Sequence, residues 1–583
     1  MNLESFSNEL LLDLFEYFSA VDLLRTFYNL NFRFNNLIMI HFQHFDLNFR
    51  SVSQYDFNLI CCQYLPIIVN DINSLSLSND DDTPQQIDLF LEHGLIISQF
   101  INLKSLSLCD LCSNEIMNKM MLEWKYLVNL THLTLAGCYL QFDQINAQQL
   151  IDSIWSLSKL IYCYLNINFN ENNIFVPTVI SSSLKYVFIW GIEHYQNKIN
   201  ALLKQTPCLE NFSILLNFDS NDDDDDIEYP FLTITKLKLC LSRVQEDRII
   251  KFLQNIPNLY HLIIDICSND EDYTNTILNG YQWEKIIRNY LSNLQIFQFR
   301  IEFQLINENN REQQIDELIH SFQTPFWLIE HNWYAQCHWN STNSSNSMYL
   351  YTLPYSFNFF KFNSSMKFKS TFSNNNNNNY IDHYNHVHDL EYKISSNDEI
   401  VSSSIQFFNL ENLFLKFPIT SHFWSVIPKL NQLTSIVISI NDENNIQSQL
   451  QILLDHTPYL YSLSFTSCLL QMPPLELRNR SIRRLDLRGY NQYFNNEQCI
   501  LLSQSLLGIQ CEILFIKIKN YQILLDMLNN MINLRTLIIQ CENDQFNETN
   551  NDELIIWLKD HLPSTCIISR DLIFHSDIRI WIR

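Results

Sequence analysis

One string recurs down this chain: L-x-x-L-x-L, with other apolar residues standing in for some leucines. Clear copies are NLKSLSL (102–108), NLTHLTL (129–135), CLENFSI (208–214), NLYHLII (258–264), NLENLFL (409–415), YLYSLSF (459–465) and NLRTLII (533–539). Eight weaker copies bring the central apolar residue to positions 75, 106, 133, 163, 187, 212, 237, 262, 297, 413, 436, 463, 485, 514 and 537. From 163 to 262 the steps are 24, 25, 25 and 25, and all others lie between 22 and 35 except one of 116 after position 297. Such a period constrains the fold more than any local propensity. A unit this short cannot bury its own apolar face and must stack on the next.

The alternation in L-x-L sends the leucines to one side of a strand and the intervening residues to the other. Between the strands lie segments with apolar residues at three- and four-residue steps, such as 148–160, 195–209, 245–259, 281–294 and 445–460, which predict helices. Pro207, Pro257 and Pro458 stand between helix and strand, where a helix must stop. One strand and one helix per unit make an α/β fold. The chain resembles the leucine-rich-repeat family over roughly residues 70–560. That resemblance implies a horseshoe-shaped solenoid with a parallel sheet on its concave face and helices on its convex face. The family's usual Asn at the repeat turn is erratic here.

Composition removes several function classes. Only 6 of 583 residues are glycine, about 1% against the usual 7% or so. Neither the three-glycine dinucleotide fingerprint nor the phosphate-binding P-loop is present. The net charge of −26 opposes binding to nucleic acid and to anionic membranes. No run of 18 apolar residues suggests a membrane span, and the N-terminus lacks the basic start of a secretory signal. Cytoplasmic or nuclear residence is therefore expected. The 15 cysteines are scattered and odd in number, unlike a disulfide scaffold.

The array breaks over 305–407. Residues 339–347 and the Asn run at 373–379 read as disordered loops. The aromatic stretch 347–360 is expected to pair with 327–339 as irregular strands continuing the sheet. The acidic run within 221–228 reads as a solvated loop. The expected organisation is an N-terminal helical domain (1–45), a linker or cap (46–70), repeats (71–304), the irregular segment (305–407), then repeats and a C-terminal cap (408–583).

Residues 3–38 carry three short helical patterns that the repeat does not reach. Ser7 is placed to cap the first, and Asp22 to start the second. Their apolar residues exceed what about 40 residues can hide by themselves, so part of this surface must meet the first repeat or another protein. The segment resembles an F-box, through Phe6-Ser7-Asn8-Glu9, Leu10-Leu11, Leu14-Phe15, Tyr17-Phe18, Asp22-Leu23-Leu24 and Asn31-Phe32-Arg33-Phe34. It departs from that family's pattern at Ser7, where Pro is usual, and at Phe34, where Trp is common. The resemblance implies docking onto a Skp-type adaptor, and through it a cullin, with Phe6, Leu10, Leu11, Leu14, Phe15, Leu23, Leu24, Phe27, Leu30 and Phe34 as the contact residues. The repeats would then hold a protein substrate for a ubiquitin ligase, and the chain itself would be non-catalytic. The alternative is a recognition or scaffold protein whose first helices only cap the array.

Residues flanking the strand leucines line the expected concave face. Tyr162, Tyr164, Tyr186, Phe188 and Trp190 fall on neighbouring repeats and predict one aromatic patch, an anchor for substrate. Lys236 and Lys238 are candidates for acidic or phosphorylated segments. No cofactor or metal is expected. Cys109 and Cys112 form a lone CxxC without a second pair. His383, His386 and His388 lie beside the Asn run in an expected disordered loop. His41 and His44 share a helix face with no further ligand.

Overall fold

The computed structural model describes residues 3–169, 176–194, 196–217, 230–243, 246–266, 278–304, 310–340, 347–372, 381–394, 405–440, 446–468, 475–542, 544 and 552–582. The acidic run and most of both polar low-complexity runs fall outside the described residues. The chain divides into two compact units. One comprises Met1–Leu215, Asn221–Ile227 and Glu548–Arg583, and the other Leu216–Ser220 and Glu228–Asn547.

The first unit opens with helices α1 (Asn8–Phe15), α2 (Ala20–Thr26) and α3 (Phe32–His44). Each has a side-chain cap. Ser7 accepts from the Leu10 amide, Ser19 from Asp22 and Asn31 from Phe34. Asp22 therefore does not start α2. It sits one turn in, where its charge favours the helix's positive end. Parallel strands follow: β1 (Leu47–Asn48), β2 (Ser74–Ser78), β3 (Ser105–Cys109), β4 (His132–Leu140), β5 (Tyr162–Phe169), β6 (Tyr186–His194) and β7 (Asn211–Asn217), neighbours in that order.

The repeat spacing becomes strand register. Leu47, Leu75, Leu106, Leu133, Cys163 and Val187 stand opposite one another across β1 to β6. All six are buried and form one layer of the core. β1 adds a unit that the sequence pattern missed, because only two residues of it are strand.

The second unit begins with parallel strands β8 (Lys236–Arg243), β9 (His261–Ile266) and β10 (Ile296–Gln304), with Leu237, Leu262 and Phe297 in register. Then come β11 (Tyr334–Asn340), β12 (Ser347–Leu353), β13 (Phe359–Asn363) and β14 (Met366–Ser370). β12 runs antiparallel between β10 and β11, and β11 pairs antiparallel with β14. β13 does not join them. It pairs parallel with β15 (Asp389–Lys393) and starts a second sheet. The stretch 347–360 thus splits: its first half continues the sheet as expected, and Phe359 and Phe360 leave it.

The second sheet continues in parallel through β16 (Asn412–Phe417), β17 (Ser435–Ile440), β18 (Ser462–Cys468), β19 (Arg484–Asp486), β20 (Ile513–Ile518) and β21 (Thr536–Cys541). Phe360, Leu390, Leu413, Ile436, Leu463, Leu485, Leu514 and Leu537 form its central row. β13 and β15 are thus two further strands of the repeat type inside the segment that reads as irregular.

Asparagine ties repeat to repeat, though not at the expected turn. Asn102, Asn129, Asn258, Asn409 and Asn533 each open a copy of the motif. Their side-chain amides donate to carbonyls 24 to 32 residues earlier, on Asn70, Ile101, Leu232, Asn385 and Ile509, at 2.8–3.0 Å. The family pattern would place Asn after the strand. Here it stands before the strand, where the chain would otherwise leave a carbonyl unpaired.

Candidate functional site

The three-helix segment is built around an aromatic cluster. Phe15, Phe27 and Phe34 pack together with centroids 5.3–6.5 Å apart, and Leu11, Leu23 and Leu24 are fully buried. Arg33 on α3 fastens the N-terminal stretch. Its guanidinium donates to the carbonyls of Glu4 and Phe6 and to Asn8 Oδ1. Tyr28 meets Tyr64 edge-on at 5.3 Å, and Arg25 pairs with Asp56 at 2.6 Å, so the helical stretch 54–68 covers one side.

This placement corrects the contact set read from the sequence. Leu11, Phe15, Leu23, Leu24, Phe27 and Phe34 are core, and Phe6 and Leu14 are half-buried. Only Leu10 (56% exposed) and Leu30 (60%) face water, joined by Tyr17 (87%) and Phe32 (80%). Forty residues hide more apolar surface than expected because three phenylalanines interlock and the next helices close over them. An apolar remainder still faces water, on different residues. Phe32 was missed because it follows the cap Asn31 directly, outside the apolar periodicity of α3.

The aromatic patch forms within the first unit. Tyr162 stands opposite Tyr186, Tyr164 opposite Phe188, and Asn166 opposite Trp190. Tyr162 and Phe188 lie 5.3 Å apart, Tyr164 and Phe188 6.4 Å, and His132 stacks on Tyr162 at 5.6 Å. Tyr186 is 37% exposed, and Tyr162, Tyr164, Phe188 and Trp190 are half-buried. Burial lowers the pKa of His132 and raises that of Tyr162, which keeps both neutral at physiological pH.

Lys236 is exposed and Lys238 half-buried on β8, in the second unit, opposite His261 and Ile263. The residues read from the sequence as one face therefore fall in two different units.

The isolated candidates for chemistry resolve into structure. Arg50 contacts the Cys109 thiol, and Cys112 donates to the Asp110 carbonyl. His41 is buried against Phe45, ring on ring at 4.3 Å, and burial lowers its pKa, whereas His44 is exposed. His383 is not in a loose loop. It is buried, edge-on to Phe372 at 4.9 Å, while His388 sits 3.0 Å from Glu411. Among the described residues, no three His, Cys, Asp or Glu side chains converge on a point where one metal ion would fit, and no helix is long and apolar enough to cross a membrane.

No family model matches the chain, and no curated protein matches it. A solved structure of a leucine-rich-repeat protein from Leptospira interrogans is similar at 11% identity and a TM-score of 0.21, over 81% of this chain and 96% of that one.

Proposed function

We propose that this chain is the substrate-recognition adaptor of a Skp–cullin–F-box ubiquitin ligase. Its first three helices dock the Skp-type adaptor, and its repeats hold the substrate. The observation that carries the reading is the pairing of a capped, aromatic-packed three-helix core with outward-facing Leu10, Tyr17, Leu30 and Phe32. Large apolar side chains left in water beside a fixed core are what an association site needs, since the rigid base lowers the entropy lost on docking. The chain performs no chemistry in this scheme. It raises the local concentration of substrate beside the conjugating enzyme.

A second reading has its own support. The packing of 54–68 against the three helices suits a cap that only closes the first repeat. Capture of a purified Skp-type adaptor by the full chain separates the two. The adaptor reading expects capture by wild type and its loss in Leu10→Asp and Phe32→Asp, with thermal unfolding unchanged because both side chains are exposed. No capture by wild type, or equal capture by all three proteins, overturns it.

A further inference from the structure

The outward face of the second sheet in the second unit holds a depression of about 490 Å³, lined by Phe359, Glu391, Lys393, Phe414, Lys416 and Val437 among others. Strand register explains the grouping. Lys361, Glu391, Phe414 and Val437 form one row across β13, β15, β16 and β17. Two residues further along each strand come Asn363 and Lys393, which are paired, and Lys416 opposite Ser439. Neighbouring strands lie about 4.8 Å apart, so these side chains share one small area.

The charges there run against the chain as a whole. Glu391 is the sole acid lining the depression among the described residues, and Lys393 pairs with it at 2.6 Å. Lys416 lines the depression and Lys361 lines the adjoining hollow, next to Glu391 in the strand register, both exposed and without an acidic partner among the described residues. Glu302 faces the adjoining hollow beside Lys361, and it keeps its charge while accepting from the Tyr349 hydroxyl at 2.8 Å. With Lys361, Lys393 and Lys416 against Glu391 and Glu302, the area carries a small positive excess over an apolar floor, in a chain of net charge −26. Phe414, 40% exposed, is the part of that floor most open to a visitor.

We propose that this depression binds an acidic peptide segment in which an aromatic residue is flanked by carboxylates. The ring lies against Phe414 and Val437, and the carboxylates meet Lys361 and Lys416. The volume exceeds one aromatic side chain and admits its neighbours. A long polyanion would feel the repulsion of the whole chain, whereas a short segment feels mainly charges within a Debye length, about 8 Å at physiological salt. The inference names a substrate class for the repeats. It rests on the reading that they hold a protein substrate, and not on adaptor docking.

The test is fluorescence anisotropy with the full chain and three labelled, end-blocked peptides: Asp-Glu-Phe-Asp-Glu, Asp-Glu-Gly-Asp-Glu and Lys-Arg-Phe-Lys-Arg. Wild type is expected to bind the first best, with affinity falling as salt rises. Lys361→Glu combined with Lys416→Glu is expected to weaken that binding at least tenfold and to bring in the basic peptide. Phe414→Ser is expected to weaken the first peptide to the level of the glycine one. No binding by wild type, unchanged affinity in both variants, or equal binding of the glycine peptide overturns the inference. All substituted side chains are exposed, so folding is kept, and circular dichroism checks it. Adaptor capture, measured on the same proteins, reports separately on the docking reading.

Discussion

Asn129 does its work through one amide. It donates to Ile101 of the preceding repeat at 3.0 Å, and Lys159 Nζ reaches its side-chain oxygen at 2.9 Å. Replacing it with Ala leaves the Ile101 carbonyl without that donor. The expected cost is about 1 kcal/mol, read from the urea midpoint. The Asn that opens five motif copies was visible in the sequence, but its partner was not, because the partner lies a full repeat away. Asp110 is a second residue of this kind. It has φ near 54°, and burial, reinforced by the carboxylates of Asp80 and Asp81, pushes its pKa up to about 6 from the ordinary 3.8. The native state thus holds this proton more tightly than the unfolded chain, and stability is lost as pH rises from about 4 to about 6. Asp110→Asn keeps the left-handed backbone at ease and removes the buried charge. It should raise stability at pH 7 by about 1 kcal/mol, with the gain gone at pH 4 in urea unfolding. Nothing in the local sequence marks this carboxyl, since Asp80 and Asp81 reach it through the neighbouring repeat.

At the scale of elements, the three N-terminal helices separate two kinds of phenylalanine that look alike in sequence. Phe15 is fully buried between Phe27 and Phe34, and Phe32 is 80% exposed. Phe15→Ala should cost about 3–5 kcal/mol, whereas Phe32→Ala should change stability by no more than about 0.5 kcal/mol. Thermal unfolding of the two variants checks this, and adaptor capture by Phe32→Ala adds the functional half. The existence of the helices was legible from their periodicity and, for α1, from the Ser7 cap. Which face each presents was not, because apolar residues surround α1 broadly and the helices at 54–68 decide what is covered. The strands divide in the same way. Those with L-x-L alternation and regular spacing were legible, and their central residues meet in register. β13 and β15 escaped because their centres are Phe360 and Leu390 within FFKFN and DLEYK, where aromatic and charged residues hide the leucine pattern.

At the scale of the whole molecule, the C-terminal stretch belongs to the same unit as the N-terminus. The antiparallel strands Ile567–Arg570 and Ile578–Trp581 bring Arg579 to Asp81 at 3.1 Å, and it also pairs with Asp571. Gln54 donates to the Thr565 carbonyl at 2.6 Å, and the buried Trp581 ring lies 6.1 Å from Phe57. Trp581→Ala should therefore destabilise the first unit by about 3–5 kcal/mol. It should also speed hydrogen exchange over 54–68, which is far away in sequence. An effect confined to the last thirty residues would contradict this account. The sequence alone determined that strands recur at steps of 22–35 residues outside one break, that their central apolar residues align into a core, and that short helices precede them. Each of these is a short-range rule that repeats, so the pattern of one unit predicts the next. Only the tertiary structure decided where the chain departs from repetition: the antiparallel turn of β11, β12 and β14, the fresh start at β13, the return of the last strands to the first unit, and the lysines gathered around Phe414. Those depend on contacts between residues tens to hundreds of positions apart, whose free energies no local pattern encodes.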